Sequence, residues 1–190
     1  MCASVSSDSY RFFVRAGVTD PDEQRQLYDL LIECDGDFVP PLSFRRSTTQ
    51  AALSGSEHNP DGVRDYFNAL IAQHVVLCAG NGRIVGFLSF RPEYTCDALS
   101  DGATYCYLST MAVSHACRGQ HISPRLYRAA MDWAREHLPG RPVLLRTWST
   151  NRAQAHLMPE LGFEEVLRLP NDRGCGVDTV YYRHANAPSA

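Results

Sequence analysis

The chain contains no lysine. Its 18 basic side chains are all arginine, set against 21 acids for a net charge of −3. That balance builds no strong field, and no basic block or stripe of arginine interleaved with aromatics runs through it. Nucleic acid and anionic membrane surfaces are therefore set aside as partners. What arginine does better than lysine is planar recognition of phosphate and carboxylate. No apolar run approaches the length of a membrane span, and residues 1–9 are small and polar, without an apolar leader. The seven cysteines, at 2, 34, 78, 96, 106, 117 and 175, are odd in number and form no Cys-x-x-Cys pair. They read as reduced thiols of a cytoplasmic protein, with no ligand spacing for a metal. His115, His121 and His156 read as surface or contact histidines rather than metal ligands.

What is present suits one domain of 190 residues with a sizeable core. The expected domain is 10–184, between a flexible N-terminus (1–9) and a flexible tail (185–190). Residues 10–16 read as a first strand. Asp20-Pro21-Asp22-Glu23 then opens a helix with Leu27, Leu30, Leu31 and Cys34 at helical spacing, ended by Gly36. Residues 37–46 form an irregular segment stiffened by Pro40 and Pro41. A second helix covers 63–73. Strands at 74–79 and 83–90 flank Gly80-Asn81-Gly82, a strong hairpin signal. A polar loop follows at 92–102, then a strand at 104–113. The next helix starts at Pro124, with Ser123 as its N-cap, and stops before Pro139-Gly140. An apolar, central strand covers 142–147, a helix closed by Gly162 covers 151–161, and strands at 164–169 and 179–183 finish the fold.

The rest is organised around 111–126. A strand runs into a short turn carrying Arg118-Gly119, and the turn opens into a helix. Turn and helix N–H groups beside a guanidinium make a phosphate or pyrophosphate site. Arg118-Gly119-Gln120-His121-Ile122-Ser123 resembles the acyl-CoA signature of the GCN5-related N-acetyltransferases (GNAT), Arg-Gly-x-Gly-x-Gly/Ala ahead of a helix. Arg118, Gly119 and Ile122 match, while His121 and Ser123 stand where that family has small residues. Asn151 to Phe163 is similar to the family's Asn-x-x-Ala…Tyr-x-x-x-Gly-Phe segment, with Met158 in place of the tyrosine. The element order also follows the family over nearly the whole chain.

The resemblance implies an α/β fold with a single mixed, mostly antiparallel sheet flanked by helices. It implies an N-acetyltransferase that moves an acetyl group from acetyl-CoA to the primary amine of a small molecule, by direct attack in a ternary complex and without metal. A non-catalytic acyl-CoA-binding or regulatory module on the same fold is the alternative, and a homodimer is left open. Arg118, Gly119, Gln120, His121, Ile122 and Ser123 would hold the pyrophosphate, with Asn151 also on the CoA side. Met111, Ala112 and Val113 would offer backbone to the pantetheine, on a strand that splays from 144–147. The fourth strand carries no acid, so Tyr107 and Ser109, read as sharing a face, are candidates to hold a proton-accepting water. Glu93, or Asp97, is the carboxylate alternative. Tyr181 or Tyr182 would replace the missing acid. Phe38, Phe44, Arg45 and Arg46 would build the acceptor wall, with Trp148 lining the same side. The acceptor is then expected to carry an anionic or polar group beside its amine.

Overall fold

The computed structural model describes residues 10–51, 53, 58, 59 and 61–186. Seven strands form one sheet in the order β1-β2-β3-β4-β5-β7-β6. They are β1 (Arg11–Ala16), β2 (His74–Gly80), β3 (Arg83–Thr95), β4 (Thr104–Val113), β5 (Val143–Trp148), β6 (Glu164–Leu169) and β7 (Thr179–His184). Among the described residues there are four α-helices: α1 (Pro21–Cys34), α2 (Gly62–Ile71), α3 (Ile122–His137) and α4 (Arg152–Glu160). All neighbouring strands pair antiparallel except β4 and β5. The sheet is thus mixed and mostly antiparallel.

Strand alternation distributes the core over both faces. Val76, Cys78, Leu88, Cys106 and Leu108 meet Leu126, Tyr127, Ala130 and Ala134 of α3. Val75, Leu77 and Phe87 face the other way, against Leu27, Leu30 and Leu31 of α1 and Tyr66, Phe67 and Leu70 of α2. Each fully buried leucine of this kind stabilises the fold by about 1.5–3 kcal/mol. Asp20 caps α1 by accepting from the N–H groups of Asp22 and Glu23, both at 2.9 Å. The helix stops at Cys34, one 3₁₀ turn (Asp35–Asp37) ahead of the full stop that Gly36 suggests.

Three boundaries differ from the sequence reading. β3 runs through Pro92 to Thr95, so the loop expected from 92 begins later. The proline falls in a register irregularity between Arg91 and Tyr94, where its missing N–H breaks no regular pair. α3 begins at Ile122, with His121 as N-cap in the left-handed region (φ 55°, ψ 28°). That conformation turns the chain before Ser123 can cap, and Pro124 is tolerated inside the first turn. Finally, 185–186 are not part of a loose tail. Asn186 is buried, and its Nδ2 donates to the carbonyls of Arg141 (2.9 Å), Leu138 (3.3 Å) and Ala134 (3.5 Å). Segments 1–9 and 187–190 lie outside the described residues. No helix among the described residues is long and apolar enough to cross a membrane.

Candidate active site

β4 and β5 are hydrogen-bonded neighbours only at Cys106–Val143, Tyr107–Leu144 and Leu108–Leu145. Beyond these pairs β4 continues to Val113 and β5 to Trp148, unpaired with each other. The opening between them is a cavity of about 590 Å³. One end is closed by the turn into α3, through Arg118, Gly119, His121, Ile122, Ser123 and Pro124. At the other end lie Phe38, Arg45, Thr48, Arg146, Trp148 and Arg173.

At the α3 end the main chain is on offer. No side chain caps the helix, so the orphan N–H groups of its first turn are left for a ligand. Gly119 (φ 76°) and His121 (φ 55°) are both left-handed. Glycine adopts this conformation freely, and histidine is among the residues that tolerate it better than most. A side chain at 121 therefore does not remove the turn. The Arg118 guanidinium donates to the Asp37 carboxylate, which also contacts His115 Nε2 at 2.8 Å. Burial pushes the Asp37 carboxyl up, but the bonds from Arg118 and His115 outweigh it and hold it below the usual carboxylate value. Cys34 lies alongside, its thiol pushed up to about 11 by burial and by the Asp37 and Glu33 charges. Cys34, Asp37 and His115 bring their ligand atoms within 4.8 Å of one another, but Arg118 already occupies the Asp37 carboxylate.

In the middle, β4 carries a bulge. Ser89 pairs with Thr110 and Phe90 with Leu108, so Ser109 is the extra residue. The bulge breaks the alternation that would put Tyr107 and Ser109 on one face. Tyr107 is 1% exposed and stacks on Tyr94 (centroids 4.4 Å apart), away from the cavity. The Ser109 hydroxyl lines it, donating to Gln73 Oε1 at 2.7 Å and lying 2.8 Å from the Ser89 hydroxyl. Gln73 Nε2 in turn donates to Thr48 Oγ1 (2.8 Å). Across the cavity, Asn151 caps α4 by accepting from the Gln154 N–H (3.2 Å), and Gln154 Nε2 donates to the Tyr127 hydroxyl at 2.6 Å. Burial raises the Tyr127 pKa, keeping the phenol neutral with its proton to give.

At the far end stand three arginines. Arg45 and Arg173 are each 7% exposed, and Arg146 is partly buried on β5. Arg45 donates to the carbonyls of Pro40 (Nε, 3.0 Å) and Val39 (Nη2, 3.2 Å). Arg173 donates to the same Val39 carbonyl (Nη1, 2.6 Å) and to Thr179 Oγ1 (Nε, 3.0 Å). Arg146 donates to the Gln50 carbonyl. Burial and the positive charge of Arg146 push the Arg45 pKa down, although Tyr66 opposes the shift. Burial, then Arg45 and Arg146, push that of Arg173 down to about 9. For Arg146, burial is outweighed by Tyr107 and Tyr181, and its pKa is raised.

Most of the residues expected at the site converge on this cavity: Ser109, Met111, Ala112, Val113, Arg118, Gly119, His121, Ile122, Ser123, Asn151, Phe38, Arg45 and Trp148. Five do not. Tyr107 is turned into the core by the bulge. Glu93 sits on the exposed extension of β3, 3.4 Å from Arg141. The Gln120 side chain points back to accept from the Tyr10 hydroxyl. Arg46 is exposed, because the 3₁₀ turn at Leu42–Phe44 sends Arg45 inward and its neighbour out. Phe44 packs on His58 instead (centroids 5.5 Å). Asp97 is exposed too. Met158 and Tyr182 are buried against the α3 side of the sheet, and Tyr181 in the cluster with Tyr107. The sequence reading did not find Thr48, Gln73, Tyr127, Gln154, Arg146 or Arg173. Only Arg146 carried a signal there, as a lone charge in an apolar central strand.

The acetyltransferase (GNAT) family model matches residues 25–163. No curated protein matches the chain. Among solved structures, one assigned to a GNAT-family acetyltransferase of Desulfovibrio desulfuricans gives a TM-score of 0.66 at 14% identity, over 94% of this chain and 99% of that one. An aminoglycoside 6′-N-acetyltransferase complexed with coenzyme A gives 0.65 at 16% identity, over 94% and 99%. The ribosomal-protein-S18-alanine N-acetyltransferase of Escherichia coli gives 0.60 at 14% identity, over 95% and 97%. At these identities the likeness is one of fold.

Proposed function

The chain belongs to the acetyltransferase (GNAT) family, and from that premise we propose that it transfers an acetyl group from acetyl-CoA to the primary amine of a small molecule, in a ternary complex. The observation that carries this reading is the parting of β4 from β5 after Leu108–Leu145, which opens onto the uncapped N-terminus of α3. A pyrophosphate suits that terminus, with N–H groups and a helix dipole to meet its charge. Arg118, Gly119, His121, Ile122 and Ser123 form the cradle, and Met111, Ala112 and Val113 present backbone to the pantetheine amides. The coenzyme A complex of a structural neighbour supports this choice of donor.

In the reaction the amine nitrogen attacks the thioester carbon, the C–N bond forms, and the C–S electron pair leaves on sulfur. A backbone N–H of β4 polarises the carbonyl. Among the described residues Asp37 is the one carboxylate lining the cavity, and Arg118 engages it. The amine proton therefore leaves through a water on the Ser109 hydroxyl, whose own proton is given to Gln73. Tyr127, neutral and oriented by Gln154, donates the proton that sulfur takes up and recovers through solvent the one the amine gives up. The buried, free cysteines among the described residues support a reducing, cytoplasmic setting.

The test is thiol release from acetyl-CoA over an amine panel, alongside CoA and pantetheine binding by calorimetry. Turnover of at least one amine, with CoA far tighter than pantetheine, is the expected outcome. Tight CoA binding with no turnover of any amine would make the chain a binding module. Equal affinity for CoA and pantetheine would remove the pyrophosphate from the turn.

A further inference from the structure

The three arginines at the far end of the cavity come from separate segments: the turn after α1, the middle of β5, and the loop before β7. Their hydrogen-bond partners among the described residues are nearly all neutral. Backbone carbonyls of Val39, Pro40 and Gln50 take their N–H groups, and the Thr179 hydroxyl takes Arg173 Nε. One carboxylate reaches the group indirectly, Asp172, which accepts from that same hydroxyl. No described carboxylate lies within ion-pair distance of Arg45, Arg146 or Arg173. Buried charges are ordinarily paired. These bonds aim the guanidinia without cancelling their charge.

The mounting is also rigid. The Arg45 guanidinium lies 5.4 Å from the centroid of the Phe38 ring, and that of Arg173 lies 5.7 Å from Trp148. The two rings are 6.0 Å apart, and a single carbonyl, that of Val39, holds both cations. A planar, doubly oxygenated anion is the ligand that such forks bind best. It would also offset the burial that chiefly depresses Arg45 and Arg173, and the repulsion of Arg45 by Arg146 and of Arg173 by Arg45 and Arg146. Arg146 follows directly on Leu145, the last β5 residue paired to β4, where the opening begins, whereas the helix N-terminus lies beyond the free end of β4 at Val113. That separation leaves the arginines to the acceptor rather than to CoA phosphates.

We propose that the acceptor is an amine bearing an oxyanion, carboxylate or phosphate, which Arg45, Arg146 and Arg173 receive while its amino group faces the thioester. This rests on the acetyl-transfer reading above. The sequence-level expectation of an anionic acceptor rested on Arg45 and Arg46. The structure discards Arg46 and supplies two partners from distant segments.

The experiment has a binding arm and a turnover arm. In the first, propionate and inorganic phosphate are titrated by calorimetry into the CoA-saturated protein, its Arg173→Met variant and its Arg173→Lys variant. Saturable binding of one anion is expected, weakened about tenfold to a hundredfold by Arg173→Met and less by Arg173→Lys, with CoA affinity unchanged in both. Whichever of propionate and phosphate binds tighter identifies the oxyanion. In the second arm, β-alanine and 2-aminoethyl phosphate are compared with propylamine, and the anionic amine of the preferred class is expected to have at least tenfold higher kcat/KM. Anion binding without turnover of any amine would overturn the acetyl-transfer reading and keep the arginine site. Propylamine turned over as well as the anionic amines, with no anion binding, would overturn the inference and keep acetyl transfer. Weakened CoA in Arg173→Met, with a normal melting temperature, would assign the arginines to the donor and also overturn it.

Discussion

At the α3 end of the cavity the groups presented to a ligand are main-chain N–H groups and the unpaired edge of β4. At the opposite end they are three guanidinia. The first site is made by conformation: any sequence that holds Gly119 and His121 left-handed and leaves α3 uncapped will build it. The second is made by side-chain identity, with Arg45, Arg146 and Arg173 each fixed by carbonyls that the fold brings to them. A conformational site tolerates substitution, as His121 and Ser123 in the turn illustrate. A side-chain site changes its ligand when one residue changes.

The contrast can be broken from either side. The largest effect is expected for Arg146→Met, which should lower kcat/KM for an anionic amine about tenfold to a hundredfold while CoA affinity stays within about twofold. Steady-state kinetics with calorimetry reads both, and an equal loss at both ends would erase the distinction. Next comes Tyr127→Phe. A thiol of pKa near 8.5 leaves without much help, so kcat should fall only about tenfold, with the acceptor KM unchanged. An unchanged kcat would leave the sulfur to take its proton from solvent.

Asp37→Asn is a smaller perturbation that sharpens the donor side. It releases Arg118 from its ion pair and should tighten CoA about threefold, an effect that fades as salt is added. The same substitution has a pH signature. The folded Asp37 carboxyl sits below its unfolded value. Its stabilisation is therefore complete above the unfolded pKa and is lost as pH falls through the folded one. Acid melting curves should be steeper for the native protein than for Asp37→Asn below about pH 4. The smallest effect is expected for His121→Gly, with CoA affinity within about threefold and stability within about 1 kcal/mol, since relief of the left-handed strain is offset by a freer unfolded chain. A tenfold loss of CoA affinity would make the histidine ring, rather than the backbone, the contact.

The same division explains what could be read from the chain. The strands and helices were legible because the apolar run at 74–79 closed by Gly80-Asn81-Gly82, and the helical spacing of Leu27, Leu30, Leu31 and Cys34, are local patterns. The α3 end of the cavity, the proposed donor site, was legible as a unit because it lies in one continuous stretch, 111–123. The start of α3 was misread because Ser123-Pro124 is a good local signal that a left-handed residue two positions earlier pre-empts. The catalytic face was misread because the bulge at Ser109 shifts the alternation by one residue, and no residue type announces it. The arginine cluster was legible only at Arg45. Residues 45, 146 and 173 become neighbours through the order of strands in the sheet, which no window of sequence contains.

The buried Asn186 gives the chain a direction in time. The closing carbonyls of α3 and of the turn after it, at Ala134, Leu138 and Arg141, find this partner some fifty residues later. β7 likewise slots between β5 and β6, both made before it. A chain emerging from the ribosome therefore carries an unlocked helix end and a half-open sheet until residue 186 is clear of the exit tunnel. Until then β5 is an edge, and Arg146 stands on that edge with no Tyr181 beside it. The anion-receiving end of the cavity is thus completed only after the turn that opens α3.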